Sequence, residues 1–232
     1  MKIGILDSGL GGIVVLKELI KQNKLAHYIY YGDYQHTPYG NKNDMQLQSY
    51  LNAAMSFFLK KECELVIIAC NTMATIIQKA PIPYITPILI VRQKIAQNKN
   101  KKILVLSTKK TMDSQVYHFE NTTNLACPKF VKELEKNPNA KKIKSIHRYL
   151  HKYKDFEMIV LGCTHYFLLK EQIQNYFHKK IEFIDSSQEL ANHIQFKNDT
   201  LHVELYVTKL NKRIKKNIKM LLEPVLFSLQ EI

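Results

Sequence analysis

An unbroken apolar run, Leu65-Val66-Ile67-Ile68-Ala69, stops abruptly at a thiol, an amide and a hydroxyl, Cys70-Asn71-Thr72. A run of that length, β-branched in its middle, has the composition of a strand buried on both faces, as in a parallel sheet. The polar triplet then falls at the C-terminal end of the strand, where open α/β sheets hold their ligands. The pattern recurs at Met158-Ile159-Val160-Leu161-Gly162-Cys163-Thr164-His165. Two strand-end cysteines in one chain imply two similar half-sites that face each other.

The rest of the chain alternates strand and helix around these two runs. Strands are expected at residues 2–6, 27–31, 84–91, 102–106, 124–127, 182–185 and 201–208. Helices are expected at 13–21, 44–60, 73–79, 93–100, 111–119, 130–136, 140–152, 188–194 and 209–222. In the helix at 44–60, Met45, Leu47, Leu51, Ala54, Met55, Phe58 and Leu59 form the apolar face. A strand ending at Asp7-Ser8 precedes the Cys70 strand, and one ending at Ser107-Thr108 precedes the Cys163 strand. This order reads as an internal duplication in which each half supplies one cysteine to a shared cleft. The expected fold class is α/β, with two similar domains on mainly parallel sheets, related by a pseudo-twofold axis, and the active-site cleft between them. Residues 1–92 with 190–232 form the first domain and 93–189 the second.

The segment Asp7-Ser8-Gly9-Leu10-Gly11-Gly12 has the look of a phosphate loop, but position 14 is Val where a third glycine is needed and no Gly-Lys-Ser/Thr follows. Its glycines are better suited to letting an anion approach the backbone N–H groups of the next helix. The net charge of +14 comes from lysine, with arginine only at positions 92, 148 and 213. Base and phosphate recognition favours arginine with interleaved aromatics, so a solvated lysine surface is expected rather than a nucleic-acid face. No apolar run approaches the roughly 20 residues of a membrane span. The apolar part of residues 1–7 is too short for a signal peptide. The expected location is therefore the cytoplasm, where Cys63, Cys70, Cys127 and Cys163 are free thiols. Cys63 and Cys127 read as small core residues. Cys163 and His165 lack further ligands at metal-site spacing, and no metal is expected.

Two thiols in one cleft suit a particular chemistry. Inverting a carbon acid next to a carboxylate needs a base on one face of the carbon and an acid on the other. One cysteine as thiolate and one as thiol fill both roles, provided neighbours activate them. Asp7 is placed to serve Cys70, and His165 to serve Cys163. Asn71, Thr72, Thr108, Thr111 and Thr164 supply donors for carboxylates and for charge developing on the substrate.

The motifs Asp7-Ser8-Gly9-Leu10-Gly11-Gly12, Tyr31-Gly32-Asp33, Pro38-Tyr39-Gly40, Cys70-Asn71-Thr72 and Gly162-Cys163-Thr164-His165-Tyr166 resemble the signature segments of glutamate racemases, within the aspartate/glutamate racemase superfamily. The resemblance implies a cofactor-independent isomerase that interconverts L- and D-glutamate by 1,1-proton transfer and supplies D-glutamate for peptidoglycan, as a homodimer. It implies Cys70 and Cys163 as the two catalytic bases, with Asp7, His165 and Glu135 assisting. Ser8, Pro38, Tyr39, Gly40, Asn71, Thr72 and Thr164 match substrate-binding positions, and Thr108 and Thr111 a Thr-x-x-Thr element. Met73, Ser107, Phe167, Thr86-Pro87 and Lys209-Leu210 depart from the family pattern, Met73 by narrowing the cleft, and the segment between Glu135 and Cys163 is short. Two other classes stay open: a related thiol enzyme such as an aspartate racemase or an arylmalonate-type decarboxylase, and a non-catalytic binding protein that keeps the cleft.

Overall fold

The computed structural model describes residues 1–195 and 200–232. The apolar runs become the strands of two all-parallel sheets. The first sheet is built on β1 (Lys2–Asp7), β2 (His27–Gly32), β3 (Leu65–Ile68) and β4 (Tyr84–Ile85). The second consists of β5 (Ile103–Ser107), β6 (Thr122–Ala126), β7 (Met158–Gly162) and β8 (Glu182–Asp185). Their orders, β2-β1-β3-β4 and β6-β5-β7-β8, are the same, so the duplication is visible in the topology. The chain then returns to extend the first sheet beyond β2 with β9 (His202–Val207) and β10 (Ser228–Glu231).

The register places like positions at like heights. Leu6 pairs with Ile68 in one sheet, and Ser107 with Gly162 in the other. Ser8 and Cys70 therefore leave one sheet side by side, with Asp7 one residue back, as Thr108 and Cys163 leave the other. Every residue of β5 and β7 is buried. Each large apolar side chain so placed contributes roughly 1.5–3 kcal/mol. One apolar cluster runs from Leu6, Val66 and Ile68 through Cys70 and Met73 to Val105 and Val160, joining the two sheets. Cys63 belongs to that cluster and Cys127 to the core of the second sheet.

The helices are α1 (Leu10–Lys21), α2 (Asp44–Lys60), α3 (Asn71–Ala74), α4 (Pro87–Gln97), α5 (Lys109–Asp113), α6 (Pro128–Lys136), α7 (Ser145–Leu150), α8 (Lys170–Phe177), α9 (Ser186–His193) and α10 (Lys212–Leu222). Helix α1 packs on the 3-10 segment Thr164–Leu169 of the other half, and α4 packs on α9. Among the described residues no helix is long and apolar enough to cross a membrane.

Several elements differ from expectation. The strand expected at 84–91 is two residues long, because Pro87 opens α4 with Thr86 extended before it. Proline fits the first helical turn, where its missing N–H is not needed. The helix expected at 140–152 shrinks to α7, those at 73–79 and 111–119 shrink to single short turns of helix, and β10 had no expected counterpart. Met45 and Leu59, assigned to the apolar face of α2, are exposed. Helix α1 starts at Leu10, so Gly11 and Gly12 are helical rather than part of a loop. Met73 is buried in the joint core and does not line the cavity between the sheets, so it does not narrow the cleft as expected.

Candidate active site

The C-terminal ends of β1, β3, β5 and β7 converge on one small cavity. Ser8, Pro38, Tyr39, Gly40, Cys70, Asn71, Thr72, Thr108, Cys163, Thr164 and His165 line it, together with Val131, which the sequence did not single out. Asp7, Glu135 and Thr111 stand one layer back and hold lining residues in place. A wider groove of about 920 Å³ between α2 and residues 75–79 carries neither cysteine.

Cys70 lies just past β3 and caps α3. Burial pushes its thiol well up from the ordinary range, and the Asp7 charge adds to this; the N–H groups of Met73 and Thr72 pull the other way. Asp7, at the end of β1, is fully buried. Its Oδ1 accepts from the Gly9 N–H at 2.9 Å, and its Oδ2 accepts from the Thr164 hydroxyl at 3.1 Å. Burial lifts the Asp7 carboxyl to about 6, restrained by the His165 charge and by the Gly9 N–H. No hydrogen bond joins Asp7 to Cys70; it acts on that sulfur through its charge and ties the first half to Thr164 of the second.

Cys163 follows β7, with its Sγ 3.9 Å from His165 Nδ1. The other ring nitrogen, Nε2, is 2.6 Å from Glu135 Oε1. Burial opposes a charge on His165, yet the hydrogen bonds to Cys163 and Glu135 outweigh it and raise the imidazole well above its ordinary value. The same Glu135 oxygen accepts the Leu10 N–H at 2.7 Å. The anion expected at the start of the glycine-rich helix is thus the protein's own Glu135, reaching across from α6. A Cβ on Gly9 would strike this carboxylate, and one on Gly11 would strike Thr164 Oγ1. These glycines let the halves approach each other.

The remaining polar groups satisfy one another across the cleft. Thr72 Oγ1 lies 2.9 Å from Thr108 Oγ1 and 3.4 Å from Thr111 Oγ1, and the last two are 3.0 Å apart. The Asn71 amide donates to Ser186 Oγ at 3.0 Å and accepts from the Tyr117 hydroxyl at 2.6 Å. Tyr39 donates to Asp33 at 2.7 Å, and Thr208 donates to the same carboxylate at 2.8 Å, which holds the Pro38–Gly40 turn over the cavity. Sequence reasoning missed Tyr117 and Ser186. Ser186 had a signal, since Asp185-Ser186-Ser187 ends β8 as Cys70-Asn71-Thr72 follows β3. Tyr117 had none.

The sequence profile of the Asp/Glu/Hydantoin racemase family matches residues 37–194. The chain belongs to this family. Among racemases similar to it is the glutamate racemase of Fusobacterium nucleatum, 39% identical, with 82% of this chain and 78% of that protein aligned. The glutamate racemase of Enterococcus faecalis is 36% identical over 83% of this chain and 77% of its own. The crystal structure of the glutamate racemase from Campylobacter jejuni superposes with a TM-score of 0.87 at 28% identity, covering 97% of this chain and all of that one. The racemase fold is therefore shared over 97% of the chain, including the β9–β10 return that the family profile does not reach.

Proposed function

We propose that this chain is a glutamate racemase that works with two cysteines and supplies D-glutamate for peptidoglycan. The observation that carries the reading is the pair of buried cysteines, each just past the same strand of one of two like sheets, both lining one cavity. The similarity to glutamate racemases supports the choice of substrate.

In the reaction one sulfur, as thiolate, takes the Cα proton from one face of the bound amino acid. The C–H bond breaks and its electron pair delocalises into the α-carboxylate. The other sulfur, as thiol, gives its proton to the opposite face, and the enantiomer forms. His165, held by Glu135, exchanges a proton with Cys163, and Asp7 fixes Thr164 and tunes Cys70 electrostatically. Ser8, Asn71, Thr72, Thr108 and Thr164 bind the carboxylates and amine, with Tyr39, Gly40 and Pro38 shaping the wall. Residues 1–92 with 190–232, and residues 93–189, act as two domains that part to admit substrate. The enzyme works in the cytoplasm as a homodimer.

Purified protein without added cofactor is expected to change the circular dichroism of L- or D-glutamate toward the racemate and to exchange the Cα hydrogen for solvent deuterium. Cys70→Ala and Cys163→Ala each lower turnover by about 10²–10⁴-fold or more. Inversion of aspartate with glutamate untouched would reassign the substrate; wild-type turnover in either alanine variant would end the two-thiol mechanism.

A further inference from the structure

We infer that His27, His202 and Glu204 form a binding site for a divalent transition-metal ion of the Zn²⁺ type, at the end of the first sheet away from the cysteines. His27 begins β2 and His202 begins β9, and the parallel register pairs them directly. Glu204 follows two residues along β9, so its side chain leaves the same face as His202. Three donor side chains on adjacent strands therefore meet at one point.

Their geometry is that of a ligand set. The donor atoms of all three lie within 4.8 Å of one another. Glu204 Oε1 is 2.5 Å from His27 Nε2 and 3.5 Å from His202 Nε2, so a single carboxylate oxygen already faces both imidazoles. The two rings meet edge to face with centroids 4.5 Å apart. Tyr206 donates to the second carboxylate oxygen at 2.5 Å and fixes its orientation, as partners outside the ligand shell do in metal sites. Bonds of about 2.0–2.1 Å to zinc would draw these donors onto three corners of a tetrahedron by small side-chain rotations, on strands that hold the backbone still. The His202 side chain is 63% exposed, which leaves that side free for water ligands.

The chemistry selects the ion. Two imidazoles and one carboxylate suit zinc and its neighbours, whereas calcium and magnesium prefer an all-oxygen shell. Lys2 and Lys61 lie near Glu204, and their charge disfavours any cation held by electrostatics alone. The ion joins residues 202–204 to residue 27, fastening the returning C-terminal strands to the first sheet. Nothing in this site touches the cavity between the cysteines.

The test uses the full chain stripped of metal with a chelator. Titration with Zn²⁺ is followed by calorimetry and by thermal melting, and Co²⁺ serves as a spectroscopic probe. Wild type is expected to bind one equivalent that His202→Ala and Glu204→Gln lose, with at least about a tenfold fall in affinity. At a hundredfold excess over Kd the melting midpoint of wild type rises by about 5–10 °C, and that of either variant does not. Racemisation by His202→Ala stays at the wild-type level. Equal binding by wild type and both variants overturns the site, as do an intense thiolate-to-Co²⁺ band or no binding at all. No readout of metal binding depends on glutamate turnover, so the racemase reading and this one fail separately.

Discussion

A carboxylate sealed from water is unfavourable unless something needs its charge, and Asp7 is such a group. Its carboxyl sits at about 6 in the folded protein because burial penalises the anion, against an ordinary value of 3.8. Between those values the folded state holds more protons than the unfolded one. Asp7 therefore contributes its full stability below about pH 4 and loses it as the pH rises through about 6. Asp7→Asn removes this dependence while the Thr164 hydroxyl turns to accept from the new amide. Relative to wild type, the variant is expected to gain on the order of 2–3 kcal/mol between pH 4 and 7 and to lose racemase activity. Parallel melting curves for the two proteins across that range would refute the assignment. Gly11 gives a second test. Alanine suits a helix better than glycine, by up to about 1 kcal/mol in the interior and less in the first turn where Gly11 sits, so propensity alone predicts a stabilised Gly11→Ala. The added Cβ instead meets Thr164 and His165, both buried and bonded, and a net loss of about 1–3 kcal/mol is expected in denaturant unfolding. The strand-end rule exposed Asp7, Cys70 and Cys163 in the sequence because polar residues stand out after an apolar run. Tyr117 was hidden because a tyrosine after a short helix looks like any core aromatic until its hydroxyl is seen on Asn71.

At the scale of elements, legibility followed burial. Strands β3, β5 and β7 lie in the sheet interiors, and continuous apolar runs announced them. Helix α2 was clear at both ends, and Asn43 with Gln46 forms a capping box at its start. The first half of helix α4 was mistaken for a strand because Ile88-Leu89-Ile90-Val91 is apolar and largely β-branched, while its second half fell in the helix expected at 93–100. The deciding fact is spatial: Ile88, Val91 and Ile95 bury one helical face while Leu89 stays exposed. The edge strand β10 carries mostly exposed side chains and left no pattern to read. Short helix α5 shows structure and site sharing one residue. Its cap, Thr108, accepts the Thr111 N–H at 3.2 Å and also meets Thr72 across the cleft. Thr108→Ala is expected to cost about 1 kcal/mol of stability as a lost cap and to raise KM for glutamate more than that cost explains. Thr108→Ser keeps the hydroxyl and restores most of both. Equal KM values for the Ala and Ser variants would remove Thr108 from the binding site.

For the molecule as a whole, the cavity between the cysteines holds about 10 Å³, roughly one water probe, and an amino acid does not fit in it. The Thr72, Thr108 and Thr111 hydroxyls are engaged with one another, and the Asn71 amide with Ser186 and Tyr117; under the proposed function, the two sheets are expected to separate and then close with glutamate replacing those contacts. Among the described residues, one polar link between the halves is the ion pair of Lys110 on α5 with Asp44 at the start of α2. An exposed pair of this kind is worth at most about 1 kcal/mol, enough to change an opening equilibrium up to about fivefold. Asp44→Lys sets two like charges at the mouth and is expected to favour the open form. Cys70 and Cys163 are each only 6% exposed when the cleft is shut, so their alkylation by iodoacetamide, followed peptide by peptide, reports the opening. In Asp44→Lys both cysteines should label up to about fivefold faster at low salt, with the gain fading as salt screens the charges. The swap Asp44→Lys with Lys110→Asp restores the wild-type rate, and D-glutamate protects both cysteines together. Cys63 and Cys127, buried in the cores, keep their slow rates throughout. If all four cysteines label only at the rate of global unfolding, and the charge reversal leaves them unchanged, the halves do not part and substrate enters by another route.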